Sequence, residues 1–363
     1  MSLGYRPALD GLRGVAIAAV VLFHTGGLVP AGYLGVDLFF VLSGFLITTL
    51  LLSEHGGLGG VSLRAFYRRR AARLLPGLYC LLAVFTGGAI LLALRGEVAL
   101  GDELFGVVAG LAYFANLALM GEPASQSMPE ELRHLWSLAA EEQFYLLWPP
   151  ALLIVLRGGV RLAAALVAAG AALMALRALD LYLEGASFER LAFGVDTRSV
   201  SILLGCLLAL ALAARPDVPS LYGRRLEVPA LAALVGLFLV DFGRLTFAGP
   251  LLVFALASAV VVARALDSSS ALATALSGRG LVFLGRISYS LYLWHVPVFV
   301  VLGVGKQELE PRAVPAVALS LALAVASYYL VELRFLAWRR AAADRPGEPP
   351  RATPALVLAR EST

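Results

Sequence analysis

Apolar runs of about 20 residues, the length a helix needs to cross a bilayer, follow one another along nearly the whole chain. Short charged or glycine-rich stretches part them. Eleven segments can be read, at 12–29, 34–52, 74–94, 101–120, 135–156, 161–182, 194–214, 227–243, 247–265, 281–303 and 314–336. Basic residues concentrate in cytosolic loops of membrane proteins, so their placement shows which segments cross. The densest cluster is Arg64, Arg68, Arg69, Arg70 and Arg73. Arg157 and Arg161 follow, then Arg215, Arg224 and Arg225, then Arg264 and Arg279, then Arg334, Arg339 and Arg340. All of these face one side only if the 101–120 segment, which carries Asp102, Glu103 and Asn116, does not cross. The pattern predicts an all-α polytopic membrane protein, a bundle of about ten transmembrane helices with both termini cytosolic. Residues 95–134 form its longest external stretch, lying at the interface or re-entering the bundle. The transmembrane domain is expected over 1–338, followed by a disordered cytosolic tail at 339–363, where prolines and charges gather. Arg6 and Arg13 ahead of the first apolar run mimic a signal peptide. No small-residue cleavage site follows, so the first helix is expected to be retained.

Composition agrees with this reading. The 363 residues are 60% hydrophobic and 15% charged, against roughly 45–50% and about 25% in soluble domains. The net charge of +4 does not point to nucleic acid, because the arginines sit in clusters between apolar runs. Cys80 and Cys206 lie inside apolar runs without a CxxC partner and read as small buried hydrophobes. No Cys, His and carboxylate spacing suits a metal, and no GxSxG elbow suits a serine hydrolase.

Candidate chemistry begins in the first helix. Arg13 and His24 stand eleven positions apart; at about 100° and 1.5 Å per residue both share nearly one face, roughly 16 Å apart along the axis. With Arg13 at the cytosolic rim, His24 is expected near mid-bilayer, where an ionisable imidazole is a functional candidate by default. Arg70 and Arg73, three apart, share a helical face in a basic cluster that also holds Arg69. Clustered guanidiniums suit phosphate recognition.

Four segments are more specific than generic membrane helix: Leu9-Asp10-Gly11-Leu12-Arg13-Gly14 running on to Phe23-His24; Phe66-Tyr67-Arg68-Arg69-Arg70-Ala71-Ala72-Arg73-Leu74-Leu75-Pro76; His134-Leu135-Trp136-Ser137 through Glu141-Glu142-Gln143-Phe144-Tyr145; and Gly285-Arg286-Ile287-Ser288-Tyr289-Ser290-Leu291-Tyr292-Leu293-Trp294-His295. In this order, with Gly35-Val36-Asp37-Leu38-Phe39-Phe40 in the second helix, the chain closely resembles the acyltransferase-3 family of membrane O-acyltransferases over about residues 5 to 336. The resemblance implies transfer of an acyl group, commonly acetyl, from cytosolic acyl-CoA to a hydroxyl of an extracytoplasmic glycan, glycolipid or glycosylated metabolite, in the bacterial cytoplasmic (inner) membrane. The family's arginine–histidine motif falls on Arg13 and His24, and its paired-arginine motif on Arg70 and Arg73. Relatives commonly carry a proline soon after the position of Glu332, where Leu333-Arg334 stands here.

The expected roles follow. Arg13, Arg69, Arg70 and Arg73 hold acyl-CoA. His24 either takes the proton of the attacking hydroxyl or carries the acyl group itself. Glu141 orients His24 or contacts the acceptor, while Glu142 is solvated. Asp37 orients the imidazole, binds sugar or makes a structural hydrogen bond. Tyr289, Tyr292 and His295 recur every three residues and form a stripe along an acceptor path, with His295 further out than His24. Asp196 and Arg198 are expected to pair locally, and His55 and His134 to be ordinary loop histidines. No metal is implied, and the chain is expected to be a monomer among membrane lipids. The rival reading is a transporter or flippase in which His24, Glu141 and Asp37 relay protons or bind cargo. No internal repeat supports it.

Overall fold

The computed structural model describes residues 4–57, 60–215, 218–305 and 310–343, and among these every regular element is helical. In chain order the helices are α1 (Pro7–His24), α2 (Gly35–His55), α3 (Leu63–Leu94), α4 (Leu100–Leu111), α5 (Ala115–Leu119), α6 (Trp136–Val155), α7 (Val160–Leu183), α8 (Phe188–Phe193), α9 (Val195–Ala214), α10 (Val218–Leu239), α11 (Pro250–Ala265), α12 (Ala271–Leu276), α13 (Arg279–Arg286), α14 (Ser288–Val301), α15 (Ala313–Ser327) and α16 (Leu333–Ala343). A 3-10 segment, Glu130–Leu135, leads into α6, and a π-helical segment, Tyr328–Glu332, joins α15 to α16.

Six helical stretches among the described residues are long and apolar enough to cross a membrane: Pro7–His24, Gly32–His55, Leu63–Leu94, Val160–Leu183, Phe188–Ala214 and Ala313–Arg339. Two shorter apolar helices, α11 and α14, accompany them. The protein is therefore a multi-pass membrane protein, although fewer helices meet this criterion than the ten expected from apolar runs. Of the eleven apolar runs two are interrupted, one of them the 101–120 run already left out of the ten. The run at 281–303 breaks at Ile287 into α13 and α14. The run at 101–120 breaks between α4 and α5, where Tyr113 adopts φ 54°, a conformation that ends a right-handed helix. That second segment is not one crossing helix. Helix α16 continues to Ala343, and the expected tail beyond it lies outside the described residues.

Glycines set the closest helix contacts. A Cβ on Gly11 would stand 1.8 Å from the Leu276 carbonyl oxygen, and one on Gly285 1.8 Å from that of Asp10. Helix α1 thus meets the α12–α13 region backbone to backbone, as small residues permit in lipid. Gly44 and Gly205 do the same for α2 and α9, with added Cβ atoms 2.1 and 2.0 Å from the carbonyl oxygens of Ile202 and Val41. Leu91, Leu147, Leu183, Val301 and Val314 stay exposed on the periphery, where hydrocarbon takes the place of a protein partner. The glycines in the first and fourth sequence motifs are therefore packing residues, and their contact brings Arg13 to the start of α14.

Candidate active site

At one end of the bundle Arg13 reaches across the α1–α13 contact. Its Nη2 donates to Ser288 Oγ at 3.0 Å and its Nε to the Gly285 carbonyl at 3.4 Å. Both partners are neutral. Arg73 lies at the same end with an exposed side chain, and among the described residues no carboxylate comes within ion-pair distance of it. Its charged neighbours are Arg13 and Arg70, with the carboxylates of Asp10 and Glu332 further off but within electrostatic reach. Two guanidiniums so placed repel each other and favour an anion between or beside them.

Arg69 and Arg70 are already committed. Arg69 pairs with Glu54. Arg70 donates from Nε to Glu142 at 2.8 Å, has Nη2 3.6 Å from Glu141, and stacks 3.2 Å from the Tyr145 ring centroid. Glu141 also accepts from Ser43 at 2.5 Å and from Tyr145 at 2.6 Å. The expectation of a solvated Glu142 is corrected: its side chain is 20% exposed and tied to Arg70. Of the four arginines expected to hold the donor, Arg13 and Arg73 keep charge available, whereas Arg69 and Arg70 tie helices together. Glu332, brought inward by the π segment, accepts from Ser290 beside this cluster; π segments often mark functional places.

At the other end stand three of the four histidines. Helix α1 stops at His24 because Gly26 and Gly27 follow with φ 73° and 67°. His24 therefore closes the helix, which ends here and not at residue 29 as the apolar run suggested. Its Nδ1 donates to the Val20 carbonyl at 2.8 Å, and the ring is partly exposed. The ring of His295, on α14, lies 5.1 Å away at 78°. Behind it the His134 ring is 5.7 Å from that of His295. The two expected positions change accordingly: His295 is level with His24, and His134 is buried among the functional candidates instead of being an ordinary loop residue. The Tyr292 hydroxyl donates to the His134 carbonyl at 2.7 Å and lies 2.6 Å from Ser137. The Tyr289 hydroxyl donates to the Leu74 carbonyl at 2.7 Å. Both tyrosines fasten α14 to its neighbours. Helix α14 spans the whole site, from Ser288 against Arg13 to His295 against His24.

One carboxylate takes the structural role that was among those open to it, and another pairs elsewhere than expected. Asp37 is fully buried, 3.1 Å from Arg198 Nη2, and accepts from Ser201 at 2.9 Å. Asp196 pairs instead with Arg190, at 2.6 Å, so the local Asp196–Arg198 pair is corrected. Arg198 is 2% exposed and lies 5.0 and 5.5 Å from the ring centroids of Trp136 and Phe247. Asp37 is thus taken up by a buried ion pair and presents no accessible atom to a ligand. Among the described residues no group of three His, Cys, Asp or Glu side chains is placed to hold a metal ion.

A helical membrane bundle with separated arginine and histidine centres along one helix defines the class, and comparison with known proteins supplies the family. Residues 6–332 match the acyltransferase domain family, acyltransferase-3; the chain belongs to it. YrhL of Bacillus subtilis is 34% identical over 358 residues, 90% of this chain and 54% of that protein. The peptidoglycan O-acetyltransferase OatA of Listeria monocytogenes is 31% identical over 352 residues, 90% of this chain and 55% of that protein. The O-acetyltransferase OatA of Staphylococcus aureus is 34% identical over 316 residues, covering 82% and 51%. The chain thus spans about half the length of the curated relatives it matches. No solved structure gives a significant match.

Proposed function

We propose that the chain is a membrane O-acetyltransferase that moves an acetyl group from cytosolic acetyl-CoA to a hydroxyl of an extracytoplasmic glycan, with peptidoglycan the leading acceptor class. The observation that carries this reading is the axis from Arg13 to His24 along α1, duplicated by Ser288 to His295 along α14. Phosphates of CoA bind at Arg13 and Arg73, neither of which forms a salt bridge among the described residues. The extended pantetheine arm then carries the thioester roughly 16 Å along the helix axis toward His24. There the carbonyl of Val20 holds Nδ1 protonated, so Nε2 bears the lone pair and faces the reaction. The acceptor hydroxyl enters from the histidine end, where His24 is partly exposed. The names of the OatA relatives support acetyl as the group and a wall glycan as the acceptor. Glu141 acts here by fixing Arg70, Ser43 and Tyr145 at the base of the path.

The test is acetyl transfer by the purified chain from acetyl-CoA to peptidoglycan fragments, followed through the arginines. Arg73→Ala is expected to raise KM for acetyl-CoA about 10-fold or more, the loss of one charge-assisted phosphate contact of about 1.5–3 kcal/mol. Arg69→Ala removes a partly exposed pair with Glu54, worth about 0–1 kcal/mol, and is expected to leave KM within twofold. Equal KM effects of the two changes would remove the donor from the Arg13–Arg73 end. Glycan translocation without any dependence on acetyl-CoA would favour the transporter reading.

A further inference from the structure

We infer that Tyr33 and Asp241 form a binding subsite for a neutral oligosaccharide, which seats the acceptor chain while a hydroxyl of a neighbouring sugar reaches His24. The inference deepens the acetyl-transfer reading above and rests on it. Past Gly26 and Gly27 the chain doubles back against α1. Gly32 lies so near that an added Cβ would stand 2.2 Å from the Ala19 carbonyl oxygen. The Ala31 N–H donates to the Phe238 carbonyl, at the end of α10, at 3.0 Å. Tyr33 is thereby held beside both α1 and the loop that follows α10. Its ring centroid is 5.4 Å from that of Phe23, which is 4.9 Å from that of His24, each pair edge to face. The Tyr33 ring therefore lies at most about 10 Å from the imidazole, the reach of a disaccharide.

The carboxylate is oriented from one side only. Asp241 Oδ1 accepts from the Tyr33 hydroxyl and from the Gly243 N–H, both at 2.9 Å. A carboxylate only accepts, so the Tyr33 proton is committed there, and the buried Thr246 hydroxyl donates to the Tyr33 oxygen at 2.9 Å. Oδ1 is thus filled from within the protein. Oδ2 takes no hydrogen bond among the described residues, and the side chain is exposed. Arg244, three residues on, turns to the carbonyl and ring of Tyr182 and does not pair with Asp241. A fixed carboxylate oxygen accepts well from hydroxyl and amide N–H groups, the donors of an N-acetylated sugar. The half-buried Tyr33 ring adds apolar surface for the C–H side of a pyranose. The same charge repels a phosphate-bearing polymer. The ligand class is therefore an uncharged glycan longer than one sugar.

Calorimetric binding and steady-state acetylation by the full-length protein in detergent test the subsite, with chitotetraose and N-acetylglucosamine as probes. Asp241→Asn keeps an oxygen for Tyr33 and Gly243 but puts an NH2 donor in place of Oδ2. It should weaken chitotetraose binding about 10-fold and raise KM for that acceptor by a similar factor, with a melt like that of wild type. The preference in kcat/KM for chitotetraose over N-acetylglucosamine should fall about 10-fold with it. Glu184→Gln removes an exposed charge at the same end of the bundle and should leave that preference within twofold. An Asp241→Asn variant with wild-type binding and preference would overturn the subsite, as would an equal loss from Glu184→Gln. Wild-type protein that does not bind chitotetraose would overturn it too. If chitotetraose binds through Asp241 but receives no acetyl group, the transfer reading falls and the glycan subsite stands; acetylation indifferent to Asp241 sinks the subsite alone.

Discussion

His24→Ala is expected to lower acetyl transfer about 10²–10⁴-fold, the usual contribution of a positioned general base, while the protein still accumulates in the membrane and melts close to wild type. The two halves of this expectation have different sources. The catalytic loss follows from removing the partly exposed nitrogen base at the meeting point of α1 and α14. The modest structural cost follows from the place of His24 at the end of a helix, where it donates a hydrogen bond to the Val20 carbonyl. Such a bond is worth about 1 kcal/mol, and the chain stop is maintained by Gly26 and Gly27. Turnover of radiolabelled acetyl-CoA beside a thermal melt in detergent separates the two. Turnover within threefold of wild type would remove His24 from the chemistry.

The second large effect is on folding. Asp37→Ala leaves Arg198 as a charge that is 2% exposed and flanked by Trp136 and Phe247. Stranding one member of a buried pair costs about 3–5 kcal/mol in soluble proteins, a large share of the roughly 5–15 kcal/mol by which domains are stable. The single variant, and Arg198→Ala equally, should lose most of its monodisperse yield in detergent. The double change Asp37→Leu with Arg198→Leu removes both charges and should recover at least half of it, because apolar replacement of a whole buried pair is often neutral or better. A single Asp37→Ala variant with full yield and an unshifted melt would contradict the buried pair. The contrast is between a partly exposed ring at a helix end and an ion pair locked inside the bundle.

Much of the site was legible because its residues are local in sequence or fall in recognisable motifs. Arg13 and His24 share one helix, so elementary helical geometry brings them to one face, and the Gly11 and Gly285 motifs turn out to be the contact that aligns α1 with α14. The weakness of 101–120 as a crossing segment was also readable, from Asp102, Glu103 and Asn116. Contacts between distant residues were not. Asp37 and Arg198 stand far apart in sequence, and proximity along the chain favours Asp196 as the partner for Arg198, yet Asp196 turns to Arg190. His134 looked ordinary because it lies in a connecting segment. Its burial beside His295 follows from the Tyr292 hydroxyl holding the His134 carbonyl. The division of the arginines was equally hidden, since spacing alone cannot tell that Glu54, Glu141 and Glu142 claim Arg69 and Arg70 and leave Arg73 open. A break within a run is hidden for a related reason: an apolar run at 281–303 carries no warning that its helix breaks at Ile287, where Arg13 reaches Gly285 and Ser288.

The central claim is that donor and acceptor approach His24 from opposite faces of the membrane. Proteoliposomes with the chain in one orientation test it most directly, with acetyl-CoA confined to the face bearing Arg13 and Arg73 and chitotetraose confined to the face bearing His24 and His134. The account predicts acetylated glycan in this arrangement, with at least 10-fold less when both reagents share the arginine face. Equal acetylation with both reagents on that face would contradict it.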